Sequence, residues 1–292
     1  MGYVKIKNLA LLFSLVVVAF TFSNCASDST DDGSNIDPTT PTVALNNDEL
    51  KTALSDLGFT FNSKGELVLD SVATGTEELN LSNSGLTSAA GLEYLTALKS
   101  VDLSGNDFDE YFECADLPST LESLTFNDND ATVELNDLEK MASLKSLRVE
   151  DCDKLTRLEM PSSLFGSSSY VYTNISTNAL RIKNCESLTT VSMPSTGDSF
   201  GLVALENLPK VTYLDLSKLS MIHTMILSGL SSSIGVRMPT ALSAYVDGWG
   251  SVSTDGLLIV AADSGVRAIS SIATFLTTFS SNILDASDYY LD

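Results

Sequence analysis

Leu147-Arg148-Val149-Glu150-Asp151-Cys152-Asp153-Lys154-Leu155-Thr156-Arg157-Leu158-Glu159-Met160-Pro161-Ser162-Ser163 is followed 33 residues later by Leu180-Arg181-Ile182-Lys183-Asn184-Cys185-Glu186-Ser187-Leu188-Thr189-Thr190-Val191-Ser192-Met193-Pro194-Ser195-Thr196. Every large apolar position coincides at that offset, and so do both cysteines and both Met-Pro pairs. Agreement this dense at one spacing marks two copies of one supersecondary unit. Within each copy the alternation Leu147-Arg148-Val149 or Leu180-Arg181-Ile182 has the period of a strand buried on one face. Arg148 and Arg181 are then expected to point away from the side their neighbours bury.

Upstream the unit recurs on a shorter period. Leu98-Lys99-Ser100-Val101-Asp102-Leu103-Ser104-Gly105-Asn106-Asp107-Phe108 is followed after 23 residues by Leu121-Glu122-Ser123-Leu124-Thr125-Phe126-Asn127-Asp128-Asn129. Another 23 residues lead to Leu144-Lys145-Ser146-Leu147-Arg148-Val149-Glu150-Asp151-Cys152. The pattern L-x-x-L-x-L-x-x-N-x-L resembles the leucine-rich repeat, in which each unit supplies one strand and one return segment. In that pattern the Asn or Cys slot turns inwards and hydrogen-bonds the backbone of the bend. Downstream, a looser third copy is read 34 residues after Leu180, with Leu214, Leu216, Leu219, Ile222, Met225 and Leu227 in the same slots. A faint last copy shows Leu258, Val260, Val266 and Ile269.

The C-x-x-L-x-x-(L/V)-x-M-P-S-(S/T) stretches resemble the Treponema-type, BspA-like repeats of bacterial surface proteins. Gly91-Leu92-Glu93-Tyr94-Leu95-Thr96-Ala97-Leu98 resembles the Gly-Ile-Glu-Tyr-Phe-x-x-Leu opening of bacterial leucine-rich repeats. The expected fold is therefore an α/β-type repeat solenoid, curved, with parallel strands, irregular return segments and a helix–hairpin N-terminal cap. Residues 46–78 form that cap: a short helix opened by an Asn cap, with Leu50, Ala53, Leu54 and Leu57 at helical spacing and Gly58 at its end. Phe59-Thr60-Phe61 and Leu67-Val68-Leu69 follow as a hairpin about the turn Asn62-Ser63-Lys64-Gly65. The repeats occupy residues 79–270, with the extra residues near Ser167-Ser168-Ser169-Tyr170 in loops, and residues 271–292 form a C-terminal cap or tail.

Before the cap the composition changes twice. Lys5 and Lys7 precede an apolar run from Leu9 to Phe22, which ends at Cys25. The run is shorter than the ~20 residues that span a bilayer and has the length of a signal h-region. With Cys25 it resembles a lipoprotein signal of residues 1–24, the box Phe22-Ser23-Asn24-Cys25 being of the looser form found in Bacteroidetes. The resemblance implies cleavage before Cys25, lipid on its sulfur and a place on the outer membrane, exposed at the cell surface. A plain secretory signal cut near Ala19 or Ser23, or an uncleaved anchor, are the alternatives. Residues 25–45, rich in Ser, Thr, Asp and Asn with Pro38 and Pro41, bury too little apolar surface to order themselves and read as a flexible tether.

Removing residues 1–24 takes away Lys5 and Lys7 and no acid, so the net charge of −22 becomes −24. Such an excess repels phosphates and excludes nucleic acid as a partner; it also excludes electrostatic docking on anionic lipid. The 4 cysteines form no disulfide framework, and with one histidine, His223, neither His-rich metal sites nor most histidine-based catalysis is expected.

Several stretches carry a sharper and a blander reading. Thr60-x-Asn62-x-Lys64-Gly65 keeps the turn glycine of a calcium loop, but Lys64 would put a positive charge where a ligand is needed, so no metal is expected. Asn127-Asp128-Asn129-Asp130 and Glu150-Asp151-Cys152-Asp153 would face each other about 4.8 Å apart if their turns stack. A cation could bridge them; solvated bends, with Asn129 alone turned inwards, are the plainer reading. Cys152 and Cys185 are either buried thiols or, outside the cytoplasm, a disulfide if their units stack directly. Cys114 has no partner by this reasoning. His223 reads as structural or surface, and Trp249 as a sugar-stacking ring or a plug at the end of the core.

The remaining surface is the outward row of strand positions. Its candidate binding residues are Asp102, Thr125, Arg148, Glu150, Arg181, Lys183, Tyr213 and Asp215, with Asn80 and Asn127 beside them. No cofactor is expected. The resemblance to BspA-like adhesins implies a non-catalytic surface protein that binds a protein or host ligand. The alternatives are a glycan-binding surface protein using Trp249, Tyr170, Tyr172 and Tyr213, and an enzyme with two carboxylates converging in a cleft.

Overall fold

The computed structural model describes residue 37, residues 39–165, 179–194, 197–215, 219–228 and 230, and the short strands 235–237, 250–251, 259–261 and 283–284. Ordered structure begins earlier than the tether reading expects. Strand β1 (Thr42–Val43) comes from the end of that stretch and pairs antiparallel with β2 (Leu67–Val68). Helix α1 (Asp48–Asp56) is capped by Asn47, whose Oδ1 accepts the Leu50 N–H at 2.9 Å while its Nδ2 donates to the Ser88 carbonyl at 2.8 Å. One side chain thus caps the helix and ties it to the first bend of the repeats. Leu50 and Leu54 are buried as the spacing predicts, whereas Leu57 is 48% exposed because it falls on the cap where the helix has ended. The hairpin turn is present, closed by the bridge between Phe61 and Leu67 and by Gly65 at φ 73°. A second short helix, α2 (Ser71–Gly75), is capped by Asp70.

From β3 (Glu78–Asn80) onward the chain builds an α/β fold of parallel sheets with few helices. Strands β4 (Ser100–Asp102), β6 (Ser123–Thr125), β8 (Ser146–Glu150), β10 (Ala179–Lys183), β12 (Gly197–Glu206) and β14 (Leu219–Ser228) join β3 in one seven-stranded sheet, in chain order. The intervening strands β5 (Tyr111–Glu113), β7 (Glu134–Asn136), β9 (Arg157–Glu159) and β11 (Thr190–Ser192) form a second parallel sheet of four, also in order. Between β4 and β12 successive segments thus alternate between two rows. In the long sheet Leu79, Val101, Leu124, Leu147, Leu180 and Val203 are register partners, strand to strand, and all are buried. They share one apolar core with the inward residues of the second row, Phe112, Leu135, Leu158 and Val191. Phe108, Phe112 and Phe126 fill the wider part between the rows, with ring centroids 4.7–5.5 Å apart.

The third repeat copy needs correcting. Val203, not Leu214, pairs with Leu180, so the period returns to 23 residues after the long unit. Leu214 lies in β13 (Tyr213–Asp215), which pairs with β15 (Gly235–Arg237) in a separate three-stranded sheet. Met225 and Leu227 partner Val203 and Leu205 in the long sheet. The misreading has a physical source: both rows carry apolar residues at i and i+2, so a half-unit shift keeps the pattern while exchanging the rows. Leu216, Leu258, Val266 and Ile269, and the loop expected at residues 167–170, lie outside the described residues.

Candidate sheet-face binding site

The outward row of the long sheet follows from the register. Asn80, Asp102, Thr125, Arg148, Arg181 and Ala204 sit side by side on successive strands. Two residues further along, Glu150, Lys183 and Glu206 form a parallel row. Six of the eight predicted residues therefore share one face. Tyr213 and Asp215 do not, because β13 belongs to the other sheet; the Tyr213 ring, 47% exposed, leans its hydroxyl towards Asp215 at 3.4 Å.

The face is pre-organised by local hydrogen bonds. Asp102 accepts from the Ser104 N–H at 2.9 Å and hydroxyl at 2.6 Å. Arg148 is clamped by Glu150 through two parallel contacts, Nε to Oε1 at 2.8 Å and Nη2 to Oε2 at 3.1 Å. Glu150 donates its own N–H to Asn127 Oδ1 at 3.0 Å, linking neighbouring strands. Arg148 and Arg181 are register partners, so two guanidinium side chains rise beside each other from adjacent strands.

Past the C-terminal ends of these strands the chain turns sharply inwards, and one column of residues adopts positive φ: Asn83, Gly105, Asp128, Asp151, Asn184 and Asn207. Asn, Asp and Gly are the residues that tolerate this conformation best. Gly105 is also required by space, since a Cβ there would lie 2.5 Å from Asn83 Oδ1. Each column residue from Gly105 onward precedes the inward slot, and this recurring Asn/Asp/Gly before Asn, Cys or Leu was the sequence signal for it. Asn207 donates to Asn184 Oδ1 and Asn184 to Asp151 Oδ1, both at 2.7 Å. Asp128, Asp130, Asp151, Asp153 and Glu186 line a groove of about 640 Å³ along this column. Partial burial, with the charges of Asp151, Asp130 and Glu150, raises the Asp128 carboxyl above its ordinary value.

The inward slots hold the bends together. Asn106 Nδ2 donates to the Leu81 and Leu103 carbonyls at 3.0 and 2.8 Å, and its Oδ1 accepts from Ser84 and Leu86 N–H groups at 3.1 and 3.0 Å. Asn129 Oδ1 accepts the Asn106 N–H at 3.0 Å and, as expected, Asn129 is buried. Cys152 and Cys185 continue the column as fully buried free thiols, donating to the Phe126 and Lys183 carbonyls at 3.2 and 3.3 Å. Contact with the Cys185 thiol and burial push the Cys152 thiol far above the usual range. Burial does the same to Cys114.

In the loop read against calcium, Asn62 Oδ1 is taken by the Lys64 and Glu66 N–H groups, so it serves the turn. Among the described residues no group of three or more His, Cys, Asp and Glu is placed to hold a metal ion. His223 falls within β14; Cys25, Tyr170, Tyr172 and Trp249 lie outside the described residues. No family profile matches the chain, and no curated protein matches it either.

Proposed function

We propose that this chain is a lipid-anchored leucine-rich-repeat solenoid of the outer membrane, exposed at the cell surface, which binds a protein ligand without catalysis on the outward face of its long sheet. The observation that carries the reading is the register: Asp102, Thr125, Arg148 and Arg181 stand in one row on a rigid parallel sheet, with Glu150 and Lys183 beside them. A flat row of polar side chains on a packed core offers extended contact area, which suits recognition of another surface. Arg is among the residues that dominate such interfaces, since it combines contact area with directional donors. The acid-lined groove at the strand ends, in a chain of net charge −22, favours a ligand with a basic flank and an acidic patch opposite Arg148 and Arg181.

The test is a binding screen of the full chain against matrix proteins and glycans, repeated with Arg148→Ala/Arg181→Ala/Lys183→Ala. The reading predicts a protein ligand whose binding the triple variant loses at unchanged thermal stability. A ligand bound equally by the variant would place recognition elsewhere. The glycan alternative has one support, the half-exposed rings of Tyr111 on β5 and Tyr213 on β13; glycan binding lost in Tyr111→Ala/Tyr213→Ala would put it first.

A further inference from the structure

The geometry points to a disulfide between Cys152 and Cys185 that staples the two long repeat units across adjacent turns. The register that joins Leu147 to Leu180 and Glu150 to Lys183 continues past the strands, where the Asp151 N–H donates to the Lys183 carbonyl at 3.0 Å. Asn184 Nδ2 closes the same step onto Asp151 Oδ1 at 2.7 Å. The next residue on each turn is a cysteine. Stacked neighbours in such a ladder lie about 4.8 Å apart, inside the 4.4–6.8 Å range of Cα separations that a disulfide spans. The two thiols already hydrogen-bond one another.

Little opposes the bond. Each thiol now donates to a carbonyl, Phe126 for Cys152 and Lys183 for Cys185. Sulfur is a weak donor, so losing those contacts costs far less than losing an Asn from the same slot. This distinguishes the pair from Asn106 and Asn129, whose slots need both donor and acceptor. Cys114 stands apart, after β5 in the other row, with Glu113, Glu139, Asp137 and Asp116 as its charged surroundings.

The reaction is thiol–disulfide exchange with a low-molecular-weight or protein disulfide. One cysteine thiolate attacks the oxidant's sulfur and expels a thiol; the second cysteine then resolves the mixed disulfide and expels the other thiol. Two S–H bonds are lost, one S–S bond forms, and the oxidant's disulfide is reduced to two thiols. Both cysteines are fully buried in the folded chain, so exchange happens while the turns are still opening or folding. Afterwards packing shields the bond. In the cell the oxidant is supplied by the exported location proposed above; the test supplies it directly, so the two claims fail separately.

The full chain is reduced, denatured and refolded in a glutathione redox buffer, and peptides are mapped without reduction. A Cys152–Cys185 cross-linked peptide with Cys114 alkylated is expected. The melting temperature should fall on adding reductant in the wild type and in Cys114→Ala, but not in Cys152→Ala or Cys185→Ala. Alkylation of both Cys152 and Cys185 after refolding, or a melting temperature indifferent to reductant in the wild type, overturns the inference. A lower melting temperature in the single variants that stays reductant-sensitive overturns it as well.

Discussion

Replacing Asn106 by Ala removes four hydrogen bonds at one stroke. The amide donates to the Leu81 and Leu103 carbonyls and accepts from the Ser84 and Leu86 N–H groups, at distances of 2.8–3.1 Å. Each such bond contributes about 1 kcal/mol net, and more when a buried partner is left unsatisfied. Leu81, Leu86 and Leu103 are fully buried, while Ser84 is open enough for water to take over. The expected loss is therefore about 3 kcal/mol, measured by urea unfolding monitored through circular dichroism. Asn106→Asp keeps the acceptor but turns a carboxylate towards two carbonyl oxygens. Its carboxyl should titrate above the ordinary range, so this variant should regain stability as pH falls through that raised value. Asn80→Ala, on the exposed face, should cost below about 1 kcal/mol. A loss at Asn106 no larger than at Asn80 would refute the inward ladder.

Asp128→Asn should raise the melting temperature slightly at neutral pH, by no more than about 0.5 kcal/mol in stability. Because the folded-state carboxyl is raised by burial and by its acidic neighbours, the native chain binds the proton more tightly than the unfolded one. The wild type therefore recovers as pH falls through that value, and the gain of the variant shrinks to nothing in acid. A benefit that persists unchanged at low pH would count against the electrostatic account. Cys25→Ala should move the protein from the membrane fraction to the soluble fraction, since the lipid chains on that residue provide the anchor; retention after a salt wash would argue for an uncleaved apolar segment.

The strand register of the middle repeats was legible because apolar alternation and the Asn or Cys slot are local signals. Leu124, Leu147 and Leu180 stack as their 23- and 33-residue spacings require. What the spacing could not decide was which row an i, i+2 apolar pair joins, and for that reason Tyr213 and Asp215 were placed on the wrong sheet. Strand β1 was hidden for another reason: Thr42 and Val43 sit among polar residues and order only by pairing with Leu67 and Val68. The charged groove was half visible. Asp128 and Asp151 stood out as acidic bends, but the contribution of Glu186 depends on stacking across the long unit.

The claim on which the rest stands is that Leu147 and Leu180 face the core while Arg148 and Arg181 face solvent. Equilibrium unfolding of Leu147→Asp and Arg148→Asp measures it directly. Leu147 is fully buried, so the first change loses about 2 kcal/mol of apolar burial and adds several for an unpaired buried carboxylate. Against a typical total of about 5–15 kcal/mol, that variant should be largely unfolded at 25 °C. Arg148→Asp breaks the exposed pair with Glu150 and should cost about 1 kcal/mol. Unfolding by both substitutions, or by Arg148→Asp alone, would contradict the register and the binding face built on it.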